Sequence, residues 1–438
     1  MTRRRARSVR SALVLGVAFG LSACSAVPSP SVAGAAPARI SATNGASLPA
    51  ATEPAGPAPS TGVGPSSPQG WTSLTWTEAD PGPFSGPGNQ YVIGGTAWSG
   101  GFLLVGEETP LPSGLVEGVV WSSTDGLHWQ RIPNTAGTFR GSEIEAVAAR
   151  GSTIVAVGVS RLQDGAQQLT PPYGLAWTST DGIHWQRSSD PSSALGQTSP
   201  TGVVAGPDGF VAYGSDLSGT APAILYSSDG VTWQRVADTA GLFSGDSVLS
   251  MAATGDGFAA IGSGPRPGLR PSDDGFDPTP GQAAAWWSAD GRTWHASDVE
   301  SGGYGLVSVQ PWVGGILRAL GSGACGGCVG PPVVWYSIDG GRSGRMDTQS
   351  ANTSLNETTS LVVEDRVVAL EDPPVATWSA DGQSWEPLPM TGASLADHAW
   401  LEIGRGDTIV AIAKFEPNAP AGLPNDQVDM LVYAGTLK

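Results

Sequence analysis

The chain has 438 residues, of which 62 are Gly and 36 are Pro, together about 22% against a usual ~12%, while charged residues make up 14% against ~25%. That excludes a coiled coil or helical bundle, yet 16 Trp and 40% hydrophobic residues leave enough apolar surface for a sizeable core of strands and turns. A net charge of −17 argues against nucleic acid or an anionic membrane surface as a partner.

In chain order, residues 1–23 read as an export signal. Arg3, Arg4, Arg5, Arg7 and Arg10 form a basic start, and 11–20 is an apolar stretch too short to span a bilayer. Leu21-Ser22-Ala23-Cys24 then resembles the bacterial lipobox, which implies cleavage before a lipidated Cys24 and anchoring to the outer face of the cell membrane. Removing five of the 22 basic residues takes the exported chain to −22. Residues 24–70 carry this Cys and a Pro/Ala/Ser/Gly tether, charged only at Arg39 and Glu53. Such a segment buries too little apolar area to order itself and spans roughly 35–40 Å as a flexible coil.

From Trp71 to Lys438 one frame, Ser-x-Asp-Gly-x-x-Trp, recurs. It is complete at Ser123/Asp125/Gly126/Trp129, Ser179/Asp181/Gly182/Trp185, Ser227/Asp229/Gly230/Trp233, Ser288/Asp290/Gly291/Trp294 and Ser379/Asp381/Gly382/Trp385. A degenerate copy, Ser337/Asp339/Gly340, has Ser343 where the Trp is expected. The steps between aspartates are 56, 48, 61, 49 and 42 residues, the length of a four-stranded propeller blade. Asp-Gly is the chemistry of a two-residue hairpin turn, with Gly at positive φ and the carboxylate accepting backbone N–H groups. The Trp is expected on the strand that follows, buried between neighbouring sheets. A feature copied six times is scaffold before it is a catalytic or metal-binding site.

Upstream of each turn lies a strand pair whose second strand is predicted to end in Gly (102–106, 154–158, 210–214, 258–262, 316–321), and two later pairs, 364–370 and 406–413, lack that Gly. Seven pairs but six hairpins leave one blade short of an outer strand. Leu74-Thr75-Trp76-Thr77 aligns with Val231-Thr232-Trp233-Gln234 and supplies it. The expectation is an all-β, seven-bladed β-propeller over 71–438, about 53 residues a blade, with an N-terminal strand closing the last blade and Trp76 beside the C-terminal segment near Leu431.

These repeats resemble the Asp-box (BNR) family of sialidases and of sialidase-like and photosystem-assembly-type propellers. The family frame is Ser-x-Asp-x-Gly-x-Thr-Trp, so the copies here are one residue shorter between Asp and Gly. The resemblance implies a propeller fold and, for a sialidase, an arginine triad, a Tyr–Glu pair and an Asp acid/base. Arg131-Ile132-Pro133 imitates the family's Arg-Ile-Pro but follows a hairpin instead of preceding the first, and reads as coincidence.

The innermost strands (92–95, 143–147, 201–205, 248–252, 305–309, 357–361, 400–403) offer Glu143, Glu145, Glu357 and Glu402 as weak catalytic candidates, with no Arg. A paired-carboxylate glycosidase built on two of them is the rival to a solvated rim. There is no Gly-x-Ser-x-Gly elbow and no His-Glu-x-x-His. His128, His184, His295 and His398 are scattered, and no cofactor or metal is implied. Cys325-Gly326-Gly327-Cys328 lacks the context of a thioredoxin site or a zinc ligand set, so a loop-stapling disulfide is the expectation in an exported protein.

The second-to-third and blade-to-blade connections should share the face opposite the Asp-Gly turns. They include 107–117, 159–173, 263–282 and 322–332. Asp273, Asp274 and Asp277 read as a solvated turn, and Phe84, Phe139 and Phe243 as residues packing under their own loops. The functional expectation is a non-enzymatic module that binds a protein or glycan through this loop face, with a sialidase-like glycoside hydrolase as the alternative.

Overall fold

A computed structural model describes residues 70–438 apart from 87, 111–114, 135–136, 162–171, 189–192, 220, 239–240, 244–245, 265–281, 300–303, 326–327, 348–358, 372–373 and 416–427. The export signal, Cys24, the tether, Glu357, Asp273, Asp274 and Asp277 therefore lie outside the described residues.

Seven antiparallel sheets form the ring, each ordered from the channel outward. Blade 1 is Gly88–Trp98, Gly101–Pro110, Glu117–Ser123 and Trp129–Arg131. Blade 2 is Ser142–Arg150, Thr153–Ser160, Gly174–Ser179 and Gln186–Arg187; blade 3 is Thr198–Ala205, Phe210–Asp216, Pro222–Ser227 and Gln234–Arg235. Blade 4 is Ser247–Thr254, Gly257–Gly264, Gln282–Ser288 and His295–Ala296; blade 5 is Tyr304–Pro311, Leu317–Cys325, Cys328–Ser337 and Ser343–Asp347. Blade 6 is Thr359–Val363, Arg366–Glu371, Val375–Ser379 and Glu386–Pro387.

Blade 7 has Trp400–Arg405, Thr408–Phe415 and Asp429–Leu437, and its fourth strand is Leu74–Glu78. Trp76 pairs with Gly435, four residues beyond the expected Leu431, and Leu431 packs beside the same cluster. The closing strand is covered on its other edge by Met390–Gly392, which runs parallel to it. Blade 5 carries a similar parallel fifth strand, Asp298–Val299. Both devices hide an outer edge that would otherwise present unpaired N–H and C=O groups.

Alternating apolar residues on the middle strands bury into the seams between blades. Leu103 and Val105 of blade 1 pack with Ile154, Ala156 and Trp177 of blade 2, and the pattern repeats around the ring. One irregularity recurs on the inner strands. The register slips by one residue at Ile93, Glu145, Thr201, Leu249, Val307 and Glu402, in blades 1–5 and 7. Each is a β-bulge, which bends the strand and re-aims one side chain.

The bulge explains the second-strand glycines. A Cβ on Gly106 would lie 1.9 Å from the Tyr91 carbonyl oxygen, and one on Gly158 would lie 1.9 Å from that of Glu143. The glycine marks where the bulged neighbour presses in, so the strands do not end there, as the sequence reading expected, but run on to Pro110 and Ser160.

Candidate functional site

The six Ser-x-Asp-Gly turns occupy the face where third strands turn into fourth strands. In the turn after blade 1's third strand, the Asp125 carboxylate accepts from the backbone N–H of Leu127 (2.9 Å) and His128 (2.8 Å) and from the Ser123 hydroxyl (3.1 Å). Gly126, at φ 78°, donates its N–H to Ser123 Oγ, and the Trp129 indole donates back to the Gly126 carbonyl. Equivalent carboxylate bonds recur at Asp181, Asp229, Asp290 and Asp381. The Asp381 carboxyl is held well below its ordinary range by the backbone N–H of Ser384, then that of Gln383. Every such carboxylate is committed to its own turn.

The structure corrects the sequence reading of this frame at its turn length and at its Trp. The connection is longer than a two-residue hairpin turn, because Asp reaches N–H groups two and three positions on; in blade 1 it spans 124–128. Gly182, Gly230, Gly291 and Gly382 do take positive φ and donate to the Ser hydroxyl of their own turn. They are needed for a second reason, since each lies against the preceding blade. A Cβ would stand 3.0 Å from the Leu103 side chain at Gly182, 2.3 Å from Val155 at Gly230, 2.7 Å from Val211 at Gly291 and 2.1 Å from the Trp312 indole nitrogen at Gly382. These glycines therefore belong to the seams as much as to the turns.

Trp129 starts its fourth strand as expected, but Trp185, Trp233, Trp294 and Trp385 each stand one residue before theirs. The indoles of Trp185, Trp233 and Trp294 repeat the bond to the carbonyls of Gly182, Gly230 and Gly291, at 3.1–3.2 Å. Trp385 departs from the pattern. It is half-buried, lacks that bond to Gly382, and tilts against Trp312 of the neighbouring blade at 6.3 Å. Trp312 is the nearest side chain above Gly382, where the nearest atoms at Gly182, Gly230 and Gly291 belong to Leu103, Val155 and Val211.

The blade 5 copy also differs. Gly341, not Gly340, donates to Ser337 Oγ (2.9 Å), while the Ser343 N–H reaches Asp339 Oδ1. The turn is one residue longer, so the Trp position falls on Gly344 and not on Ser343, and a Cβ there would strike the Trp335 indole.

Three of the four histidines lie in or just after these turns. His128 and His184 place Nδ1 2.7 Å from Asp125 and Asp181, and His295 stacks on Trp287 at 4.5 Å. Between blades 4 and 5 the same face holds a cavity of about 250 Å³ lined by Asp256, Trp312, Ile338, Asp339 and Arg342. Arg342 is tied to the Asp339 carbonyl and to Asp256 and lies over Trp287, so the charges there satisfy one another.

The opposite face carries the second-to-third and blade-to-blade connections and a mixed Glu/Arg cluster between blades 1 and 2. Blade 1's second strand ends at this face with Glu107 and Glu108, and blade 2's inner strand begins there with Glu143 and Glu145. Arg161, just past the second strand of blade 2, ion-pairs with Glu143, and Arg131 pairs with the buried Glu108. The Arg-Ile-Pro arginine thus serves its own blade. Glu107 hydrogen-bonds to Glu143, an arrangement that needs one shared proton. Burial, then that hydrogen bond, then the charges of Glu143 and Glu145 push Glu107 up to about 9, against Arg161. Burial and Glu143 raise Glu145 to about 7.

Glu402 is a separate site. It accepts the Trp400 indole N–H at 2.9 Å and the backbone N–H of Gly95, while burial raises it to about 7. Glu143 and Glu145 are thus brought together, Glu402 stands apart from them, and Glu357 lies outside the described residues. Glu107 escaped the sequence reading because that reading searched only the innermost strands. The signal was present as two consecutive glutamates closing the apolar run 102–106.

Phe84, Phe139 and Phe243 are buried where their connections meet the next blade. Each sits on two Trp of the blade its connection enters: Phe84 on Trp121 and Trp129, Phe139 on Trp177 and Trp185, Phe243 on Trp286 and Trp294. The residue before each Phe offers its carbonyl to the third-strand indole N–H, at 2.7, 3.0 and 3.2 Å. Cys325 and Cys328 are backbone partners directly opposite each other where blade 5's second and third strands meet. Among the described residues no cluster of His, Cys, Asp and Glu has a metal-binding arrangement, and no helix is long and apolar enough to cross a membrane.

No family model matches the sequence, and no curated protein matches it. Among solved structures the chain is similar to YCF48 bound to D1 peptide, at 13% identity and TM-score 0.48, covering 83% of this chain and 97% of that one. It is also similar to the β-propeller domain of the Trilobed protease from Pyrococcus furiosus, which has an open velcro topology, at 8% identity and TM-score 0.43 over 74% and 88% of the two chains. A third is the Trypanosoma rangeli sialidase in complex with the inhibitor DANA, at 11% identity and TM-score 0.39, over 80% of this chain and 55% of that one. The propeller assignment rests on the strand pairing described above.

Proposed function

We propose that this chain is an exported, lipid-anchored propeller that binds a protein or glycan through its connection face without turning the ligand over. The observation that carries the reading is the difference between the two faces. One is closed by short turns whose polar groups bond to themselves, whereas the other gathers the long connections and the mixed Glu/Arg cluster of blades 1 and 2. Surface loops on a rigid scaffold are where proteins place recognition.

The rival hydrolase needs two carboxyl groups about 5 Å or roughly 6.5–9.5 Å apart across a glycosidic bond. Glu143, one of the candidate carboxylates, is already held in an ion pair by Arg161 of its own blade. The test is a panel of chromogenic glycosides with the wild type, Glu143→Gln and Glu145→Gln. No turnover is expected; turnover that either variant abolishes overturns the proposal. A glycan array and proximity labelling then separate the two ligand classes. Lipidation of Cys24 predicts membrane fractionation that Cys24→Ala abolishes. A Cys325–Cys328 disulfide, supported by their register, predicts alkylation of both only after reduction.

A further inference from the structure

The seam between blades 5 and 6 is built unlike the others. Elsewhere around the ring each inner strand lies against the next, but Tyr304–Pro311 and Thr359–Val363 do not approach along their length. The apolar cluster there is small, with Trp312, Val313 and Val367 buried. Into the same seam projects Arg318, 2% exposed, from blade 5's second strand beside Gln310. Its Nη1 points at Ser360 Oγ from 3.4 Å, Tyr336 is its partner on the next strand, and the guanidinium lies 4.6 Å over the Trp312 ring. Gln310 Nε2 donates to the same Ser360 oxygen at 2.9 Å.

Two facts point to an anionic ligand for Arg318. Arg318 Nε has no partner among the described residues, and none of their carboxylates forms an ion pair with this guanidinium. A guanidinium does not discharge in a protein, so a buried one calls for a counter-charge. Nε is one prong of the fork that grips a carboxylate with two parallel N–H bonds. The half-buried Gln310 and Ser360, one from each inner strand, bond to each other across the seam on the channel side of Arg318.

We propose that Arg318, with Gln310 and Ser360, forms a carboxylate-binding site in the seam between blades 5 and 6, entered from the channel. It is independent of which face binds the macromolecular ligand. The site is tested with the full chain by thermal unfolding in sodium acetate against sodium chloride at equal ionic strength, with sodium sulfate as the tetrahedral comparison. Acetate should raise the midpoint saturably, by roughly 4 °C at a hundredfold excess over its Kd. The rise should vanish in Arg318→Met and weaken in Gln310→Ala, which keeps the test alive if the first variant folds poorly.

An acetate effect no larger than that of chloride, or one preserved in both variants, overturns the proposal. So does a preference for sulfate, which would mark a tetrahedral-anion site. An acetate effect that appears only in Glu357→Gln also overturns it, because the chain's own carboxylate would then be the occupant.

Discussion

Glu107 is a carboxyl group whose folded environment favours its protonated form. The unfolded chain releases this proton near 4.5, whereas the folded protein holds it until about 9. The stabilisation is therefore complete below pH 4.5 and is lost progressively as pH climbs toward 9. Glu107→Gln is neutral at every pH and can still donate to Glu143. The variant should match the wild type near pH 5 and exceed it near pH 8 by roughly 1–3 kcal/mol, allowing for solvent relaxation around a partly exposed group. Urea unfolding at the two pH values measures this, and an equal difference at both would show that Glu107 does not hold the proton. Glu145 and Glu402 tilt the wild-type curve the same way, so only the comparison with the variant isolates Glu107.

At the scale of the element, the Phe–Trp bracket joins the connections entering blades 1, 2 and 4 to their new blades. Trp177 donates its indole N–H to the Thr138 carbonyl, while the homologous Trp335 of blade 5 has no partner among the described residues. Replacing Trp177 by Phe should therefore cost about 1 kcal/mol more than replacing Trp335 by Phe, since only the first leaves a carbonyl stranded. Phe139→Ala, which empties the space between Trp177 and Trp185, should cost about 3–5 kcal/mol. Denaturant titration ranks the three variants, and equal costs for the two Trp substitutions would mean the indole bond contributes nothing. The turns were legible in sequence because Asp-Gly chemistry is local. What presses on Gly230 or Gly382 from the preceding blade was not, and neither was the bracket, because its Phe and its two Trp lie on separate segments that only the ring brings together. The bulges also escaped, although the glycines opposite them were noticed, since close approach by a neighbouring strand leaves no mark on the strand it constrains beyond the missing side chain. Glu143 and Glu145 were found from their place on an inner strand, but Arg161 and Glu107 needed the register.

For the whole molecule, closure is the step on which the other six blades depend. The segment 72–78 and the C-terminal strand meet in blade 7 at the place where every other blade has a third-to-fourth turn. The Lys438 carbonyl accepts the Thr72 N–H at 2.6 Å, and the Lys438 N–H returns to the Ser73 carbonyl at 3.0 Å. Trp76 belongs to the buried cluster that also holds Trp378 of blade 6 with Leu401 and Tyr433 of blade 7, so the closing strand shares the core at the seam to blade 6. Two opposite manipulations test this. Deleting residues 71–79 removes a strand paired on both edges and exposes those edges to other chains. Aggregation and loss of a cooperative melt are expected, and a synthetic 70–80 peptide should restore part of the melt. Joining Lys438 to Trp71 by a short Gly/Ser linker, with new ends opened at the exposed Ser218–Gly219 turn, converts the gap into an ordinary hairpin. That permuted chain should stay monomeric by size exclusion, keep the wild-type near-ultraviolet spectrum and melt no lower than the parent. A deletion that melts normally, or a permutant that fails to fold, would show that the ring is held by its seams and not by its closing strand.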